Sequence, residues 1–299
     1  MPRTLLAAAV ALPWIAWAVV RVAGVELPHR PTELLAFTPY AALTAVVPVV
    51  IALVLRRRAI ALVSLIAALA LVASVVPRAT GDPEKPGSRP VLTVMSVNVL
   101  RGHADPHAVM RLVEEYDVDV LALEESRPAF VAQLDGFGAG SRLPYRNAAP
   151  LDEALLSAVP LRPTGWPAEG DLRIGARTIR VRAVHPPPPV TTREWREWQD
   201  ELAALPSSGP GPVRHVLAGD FNATLDHPEL RDVIDRGYVD GADQVGAGLH
   251  PTWPAGRRLP PDITIDHVLV DTRLGVASFS VHPVPRTDHR AVIARIVVR

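Results

Sequence analysis

The chain has 299 residues, no cysteine, and 31 basic and 31 acidic residues. A chain without cysteine forms no disulfide, no thiolate metal site and no cysteine nucleophile. Nine basic and four acidic residues lie in the first ninety positions, which leaves 22 basic and 27 acidic residues for the rest, and that net charge of −5 does not indicate general attraction to nucleic acid.

Three apolar stretches occupy the first part of the chain, at residues 5–20, 34–55 and 59–76. Each approaches the roughly 20 residues that a helix needs to cross a bilayer, so we expect residues 1–79 to form a membrane anchor of three transmembrane helices. Two alternatives stay open: a cleaved signal peptide for the first stretch, and a buried helical hairpin of a soluble protein for the whole region. The middle of each stretch lacks ionisable residues, which argues against a transport or channel function.

The arginines predict how this multi-pass anchor is oriented in the cell membrane. Arg56, Arg57 and Arg58 fill the short connection between the second and third stretches, and positive charge in short loops stays on the cytoplasmic side. The third stretch then leads outward, so we expect the rest of the chain to be extracytoplasmic. Residues 80–90 contain three prolines and two glycines, which is typical of a stiff, solvated linker. The domain that follows spans residues 91–299.

Beyond the linker, apolar β-prone runs alternate with helical patterns. We predict helices at residues 106–115 and 192–205, and strands at 91–98, 118–123, 177–184, 213–218, 263–270 and 291–298. In the second helix, Trp195 and Trp198 share the apolar face and are interpreted as core residues. The mixture of strands and helices favours an α/β or α+β sandwich. The proline-rich stretches 185–190 and 249–261 lack a periodic pattern, and such loops often border a substrate groove.

Polar side chains recur at the ends of the predicted strands. They lie in the runs Ser96-Val97-Asn98-Val99, Leu123-Glu124-Glu125, Gly219-Asp220-Phe221-Asn222 and Thr287-Asp288-His289. Polar residues at successive strand ends converge on one edge of a sheet, where α/β folds usually place their sites. Carboxylates and carboxamides with one imidazole suit Mg²⁺ or Mn²⁺ better than zinc.

The order of these runs, extended by Val181-Arg182-Ala183-Val184-His185 and Ile265-Asp266-His267, resembles the endonuclease/exonuclease/phosphatase superfamily over roughly residues 91–299. The resemblance implies a DNase I-like four-layer sandwich, in which two packed mixed β-sheets are flanked by helices. It also implies a Mg²⁺- or Mn²⁺-dependent phosphoric ester hydrolase, a phosphodiesterase or phosphatase in which metal-activated water attacks the phosphoester.

The resemblance also implies a role for each matched residue. Metal binding falls to Glu125, Asn98 and Asp288, alignment or deprotonation of the attacking water to Asp220, phosphate binding to Asn222, His185 and His289, and orientation of His289 to Asp266. Glu124 stands where family members often carry Gln, and His267 is interpreted as structural. Tyr145 lies near the position of a family tyrosine, but the surrounding match is too poor to assign it that role.

Three substrate classes are compatible with these residues: nucleic acid, a lipid head group, and a small phosphorylated metabolite. The favoured interpretation is a membrane-anchored phosphodiesterase or phosphatase. The alternatives are an extracellular nuclease and a non-catalytic, membrane-tethered binding module of the same fold. The sequence indicates no protein partner.

Overall fold

The computed structural model describes residues 1–148, 152–257 and 261–299. Its N-terminal part is helical, with α1 at Pro2–Ala23, α2 at His29–Leu35, α3 at Thr38–Thr44, α4 at Val46–Val54, α5 at Arg58–Val75 and a 3₁₀ turn at Val76–Ala79. The helices of the following domain are α6 at Pro106–Glu115, α7 at Pro128–Asp135, α8 at Ala139–Arg142, α9 at Thr192–Ala204, α10 at Pro228–Ile234 and α11 at Gly241–Gln244. Its strands are β1 at Val91–Asn98, β2 at Val120–Glu124, β3 at Tyr145–Ala148, β4 at Ala154–Ser157, β5 at Leu161–Pro163, β6 at Glu169–Ile174, β7 at Arg177–Val184, β8 at Val213–Asp220, β9 at Tyr238–Asp240, β10 at Asp266–Asp271, β11 at Gly275–Pro283 and β12 at Arg290–Val297.

Within the described residues, these strands form two six-stranded sheets. The first sheet has the order β11-β12-β1-β2-β4-β3, and the second has the order β5-β6-β7-β8-β10-β9. The facing surfaces share one apolar core, in which Val94 and Val120 of the first sheet and Val181 and Val216 of the second are fully buried. Removal of this apolar surface from water drives the two sheets together.

Helices cover the outer face of each sheet. Val109 and Val113 of α6 pack with the outward-facing side chains of β1 and β2. On the second sheet, Trp198 of α9 and Leu230 of α10 belong to a separate apolar cluster with Leu217 of β8. The order of layers is therefore helix, sheet, sheet, helix, which confirms the predicted DNase I-like sandwich.

Most predicted elements lie where the sequence placed them. The strands β1 and β7 have the predicted bounds, and α9 ends one residue early. By contrast, β10 begins at Asp266 rather than at residue 263, because Ile263 pairs with Trp253 outside the sheet. The sequence did not indicate β3 to β6, β9 or β11, and all of these except β11 have only three to six residues each, too few for a periodic pattern to be recognised.

Two of the described helices are long and apolar enough to cross a membrane, Pro2–Ala23 and Arg58–Ala79. The second predicted span is interrupted between α3 and α4, and its apolar helical part, Thr38–Val54, is shorter. The interruption has a local cause, because Pro48 has no N–H to donate to the carbonyl of Thr44 one turn earlier. The prediction of three transmembrane helices is therefore not supported, and two candidate spans remain.

A buried ion pair fixes the helical part to the domain. Asp226 follows β8, and its carboxylate accepts from Arg21 Nε at 2.6 Å and from the two terminal nitrogens of Arg78 at 2.6 and 2.8 Å. Beside it, His227 Nε2 lies 3.1 Å from the carbonyl oxygen of Thr32. Both ends of the helical part, at α1 and after α5, are thus bound to the same loop of the domain.

The linker at residues 80–90 is largely exposed, as predicted, but it lies against the domain. Gly81 forms a bridge with Val245, and the N–H of Asp82 donates to the Gln244 carbonyl at 2.9 Å. A side chain at Gly81 would clash, because a Cβ there would lie 2.2 Å from the backbone of Val245. The linker therefore holds the helices and the domain in one fixed arrangement.

Replacement of Asp226 by alanine is expected to lower the free energy of unfolding by about 3 kcal/mol, because it leaves two arginines buried without their counter-charge. Denaturant unfolding of the full chain in detergent, followed by tryptophan fluorescence, measures the change. Asp232→Ala is the matched control, since Asp232 is exposed on α10 and its loss should change stability by less than about 0.5 kcal/mol. Equal stability of the two variants would contradict the role of the ion pair.

Candidate active site

The strand directions bring the polar strand ends together. β1 and β2 are parallel, so Asn98 and Glu124 are register partners at their shared ends. β10 runs antiparallel to β8, which places Asp266, its first residue, directly opposite Asp220, the last residue of β8. β12 is antiparallel to β1, so His289, just before β12, reaches the same edge.

Two of the site residues have left-handed backbone conformations. Glu125 follows β2 with a φ of 51°, and Asn222 lies two residues after β8 with a φ of 48°. Non-glycine residues rarely adopt this conformation, and it concentrates at functional sites. Gly219 has a different constraint, because a Cβ there would lie 1.9 Å from the carbonyl oxygen of Val184. Only glycine permits this close approach of β8 to the residue that precedes His185.

An aspartate and a histidine form a buried pair at the centre of the site. His289 Nδ1 lies 3.1 Å from both carboxylate oxygens of Asp266, and His289 Nε2 lies 3.6 Å from Asp220 Oδ2. Ligand atoms of the three residues all lie within 4.8 Å of one another. Burial opposes a charge on His289, but Asp266 and Asp220 outweigh burial and raise the pKa of its imidazole to about 10. At neutral pH this pair therefore presents a positive charge through Nε2.

A second histidine faces Asp220 from the other side. His185 Nε2 lies 3.9 Å from Asp220 Oδ2, and His185 Nδ1 lies 3.0 Å from Asp152 Oδ2. Burial disfavours the charged form here too, but the hydrogen bond to Asp152 and the charge of Asp220 raise the pKa of His185 to about 9. Burial also raises the pKa of Asp220 itself, against the opposing effect of the His289 charge. Asn222 completes this side, where its backbone N–H donates to Asp220 Oδ1 at 2.9 Å.

Oxygen ligands for a cation lie on the opposite wall. Asn98 Nδ2 donates to Glu125 Oε1 at 3.1 Å and to Asp220 Oδ2 at 3.2 Å, while its Oδ1 accepts from a backbone N–H. Asp288 Oδ2 accepts from the indole N–H of Trp253 at 3.2 Å, and Asp288 Oδ1 is buried with no hydrogen-bond partner among the described residues. A buried carboxylate oxygen without a hydrogen-bond donor fits a hard divalent cation.

Glu124 and Glu125 are neighbours in very different environments. Glu124 is fully buried, and burial raises the pKa of its carboxyl well above the usual range. Ser96 Oγ lies 3.0 Å from Glu124 Oε1. A protonated carboxyl has the shape and hydrogen-bonding groups of a carboxamide, which is consistent with glutamine at this position in the resembling family. Glu125 lies in the pocket instead.

The predicted residues share one pocket of about 1120 Å³. The six that line it are Glu125, His185, Asp220, Asn222, Asp288 and His289. The other two, Asn98 and Asp266, are fully buried and hydrogen bond to lining residues. The loop after His185 also lines the pocket, as does Trp253 from the second proline-rich stretch, of which residues 258–260 lie outside the described part of the chain. The roles assigned to the eight residues stay predictions.

Sequence reasoning missed three residues that support the site. Asp152 pairs with His185, and Trp253 donates to Asp288. Thr252 Oγ1 accepts the N–H groups of both Ile265 and Asp266 at 3.0 and 3.1 Å. All three lie in segments without a periodic pattern, so no local signal in the sequence indicates that these residues support the site.

Neither His267 nor Tyr145 lines the pocket. This agrees with the sequence analysis, which interpreted His267 as structural and gave Tyr145 no role. His267 is buried between Asp240 Oδ2, at 2.7 Å, and the carbonyl of Ala223, at 2.9 Å, which is a structural environment. Tyr145 is an exposed residue of β3.

Comparison with known proteins adds a decisive observation. The sequence model of the Endonuclease/Exonuclease/phosphatase family matches residues 95–289. The chain belongs to this family. The match spans every strand end that carries a residue of the site. No curated protein sequence matches the chain significantly.

Solved structures of the Endonuclease/Exonuclease/phosphatase family share the fold. A protein described as endonuclease/exonuclease/phosphatase from Beutenbergia cavernae DSM 12333 is 18% identical, with a TM-score of 0.57 over 70% of this chain and 72% of that one. Truncated Caenorhabditis elegans TDP2 is 16% identical, with a TM-score of 0.53 over 70% and 98% of the two chains. D. rerio TDP2 complexed with single strand DNA product is 14% identical, with a TM-score of 0.53 over 69% and 98%. At these identities the likeness shows the fold alone.

The two adjacent glutamates give a matched test of cation binding. Glu125→Gln is expected to weaken Mn²⁺ binding by about tenfold or more, because it removes a carboxylate ligand. Glu124→Gln should leave the affinity nearly unchanged, because Glu124 is fully buried and does not line the pocket. Titration calorimetry of each full-length variant with Mn²⁺ measures both values. Equal affinities in the two variants would remove Glu125 from the cation site.

Proposed function

We propose that this protein is a membrane-anchored phosphoester hydrolase that depends on a divalent cation and acts on the extracytoplasmic side. Membership of the Endonuclease/Exonuclease/phosphatase family supports phosphoester hydrolysis. The observation that carries the proposal is the close approach of Asp220, Asp266 and His289, within 4.8 Å, beside the pocket that Glu125 and Asp288 line.

The residues of the chain supply a base and two positive charges. Asp220 accepts the proton of the attacking water, and burial raises the pKa of its carboxyl, which makes the carboxylate a stronger base. His289, held by Asp266, and His185, held by Asp152, direct their Nε2 atoms toward Asp220. A phosphate bound beside Asp220 therefore lies between two imidazolium groups, which stabilise the negative charge that develops during the reaction.

The bond changes follow from this arrangement. The water oxygen bonds to phosphorus while the P–O bond to the leaving group breaks, and solvent protonates the leaving oxygen. Asn222 lies beside the phosphate position and binds a phosphoryl oxygen. Glu125 and Asp288, with Asn98 behind them, are the residues that would hold the cation. When bound, Mg²⁺ or Mn²⁺ neutralises phosphoryl charge and favours attack by water.

The charge of the pocket disfavours a polyanionic substrate. Glu33 and three glutamates of α9, Glu194, Glu197 and Glu201, line the pocket beside the catalytic carboxylates. A nucleic-acid strand would bring several phosphates against this acidic rim. A nuclease is the second candidate, because a solved D. rerio structure of the same fold is complexed with single strand DNA product. A non-catalytic module is disfavoured, because all eight matched positions keep groups able to perform the reaction.

Exposed apolar side chains support the membrane anchor. Only 22% and 28% of the most apolar windows of the two candidate spans are buried inside the protein, whereas a core helix would be mostly buried. Leu5 and Leu12 on α1 are 70% and 64% exposed, and Leu62 and Ile66 on α5 are both 59% exposed. An apolar surface this extensive is stable in a bilayer rather than in water.

The distribution of arginines supports the orientation. Arg21 and Arg78 lie at the domain end of the bundle, where both bind the carboxylate of Asp226, which offsets one of their two charges. Arg56, Arg57 and Arg58 lie at the opposite end, where α4 is followed by α5. This arrangement requires the shorter apolar segment Thr38–Val54 to cross the bilayer together with the two candidate spans. Because retained positive charge marks the cytoplasmic side, the domain faces outward.

Hydrolysis of bis(p-nitrophenyl) phosphate by the full chain in detergent tests the activity. Mg²⁺ or Mn²⁺ should support turnover and a chelator should abolish it. Asp220→Ala is expected to lower kcat by at least about 100-fold, since general base catalysis contributes that much. Asp232→Ala is the control and should retain full activity. If the wild-type protein showed no more activity than Asp220→Ala with any cation, the hydrolase proposal would be contradicted and the non-catalytic alternative would be favoured.

A reporter enzyme that is active only outside the cytoplasm, fused after Arg299, tests the orientation. The fusion is expected to be active, because α5 leads the domain outward. A matched fusion after Arg57, in the arginine-rich connection, should be inactive. The reverse pattern of the two activities would contradict the proposed orientation.

A further inference from the structure

A second cavity lies between the helical part and the domain. It has a volume of about 730 Å³. The helices contribute apolar side chains to its wall, among them Ala42, Val49, Ala68 and Val75. The charged residues in its lining form ion pairs, because Asp226 binds Arg78 at 2.6 Å and Asp262 binds Arg290 at 2.8 Å. The wall is therefore suited to hydrocarbon.

Part of this wall lies on the surface that faces lipid in a bilayer. Leu43, Val46, Leu65 and Val72 line the cavity and are 76%, 59%, 43% and 39% exposed. Leu65 and Val72 lie on the candidate span α5, and Leu43 and Val46 lie on the shorter apolar segment Thr38–Val54. A hydrocarbon chain could thus pass from the bilayer into the cavity without crossing a polar surface.

The other end of the cavity meets the catalytic pocket. Ala36 and Ile263 line both cavities. The segments that close the apolar cavity are residues 224–226 and 262–264, which lie next to Asn222 and Asp266 in the chain. An elongated molecule that filled the apolar cavity and extended past Ala36 and Ile263 would therefore enter the catalytic pocket.

We propose that the cavity binds the hydrocarbon tail of a lipid phosphoester, whose phosphate lies in the catalytic pocket. This inference rests on the proposed hydrolase function and specifies its substrate class. The occupant is a lipid with one phosphate group, because the wall is apolar at one end and the pocket repels a polyanion at the other.

A series of alkyl p-nitrophenyl phosphates tests the tail site. The full chain is held in amphipol, and each diester is used below its micelle-forming concentration. Because each buried methylene adds binding free energy, kcat/KM should rise at least about tenfold from the methyl to the octyl ester. An equal kcat/KM for the methyl and octyl esters would overturn the proposal. The cavity would then be a binding site for a structural lipid or a protein helix.

A matched pair of variants locates the effect. Val72→Trp fills the cavity, whereas Val63→Trp lies outside its lining on an exposed part of the same helix. The first should reduce the octyl-to-methyl ratio to about one, and the second should keep the wild-type ratio. Ala68→Phe, which also fills the cavity, repeats the test if Val72→Trp does not fold.

Hydrolysis of the methyl ester distinguishes a failure of the proposed tail site from a failure of the proposed hydrolase function. Both Val72→Trp and Val63→Trp should hydrolyse it at the wild-type rate, because neither residue lies in the catalytic pocket. Loss of the chain-length effect only in the cavity variants supports the tail site. An unchanged ratio in Val72→Trp and Ala68→Phe overturns the tail site while the hydrolase function stands. No turnover of any ester by the wild type would instead refute the hydrolase function.

Discussion

The register between β8 and β10 controls the electrostatics of the site. It sets Asp266 directly opposite Asp220, and both carboxylates are buried. Two buried carboxylates so close together repel each other and have lost their hydration, so they need positive charge nearby. His289 provides it, with one ring nitrogen 3.1 Å from Asp266 and the other 3.6 Å from Asp220. A slip of one residue would turn Asp266 to the other face of the sheet, and the pair with His289 would be lost.

Much of this centre could be predicted from sequence, because each chemical group ends or begins a long apolar strand. Asn98 and Asp220 are the last residues of β1 and β8. Asp266 is identified by the family resemblance instead, because the predicted strand begins at residue 263 and places Asp266 in its interior. The partner of His185 could not be predicted. Asp152 lies 33 positions earlier in the chain, and only the folding of β4 against β2 brings its loop to the site.

In the N-terminal helical part, the pattern of apolar residues along the sequence does not predict where the helices break or how they contact the domain. Composition alone treats residues 34–55 as one apolar stretch, but the missing N–H of Pro48 divides its helix at Ala45. Arg21 and Asp226 are 205 positions apart. In the sequence Arg21 and Arg78 are simply charges at the ends of spans. In the structure they are buried anchors for the loop that follows the catalytic strand β8, so the contact that orients the domain is purely tertiary.

The charge of the catalytic pocket connects its chemistry to its position against the helices. Asp220, Glu125 and Asp288 would repel a phosphate, and the glutamates of α9 add to that repulsion. The imidazolium groups of His185 and His289 offset part of it. Contacts with the phosphate alone therefore contribute little net binding free energy in this pocket. Burial of apolar surface does not depend on charge and could supply the remainder. The helices supply such a surface at Ala36, where the catalytic pocket and the apolar cavity meet.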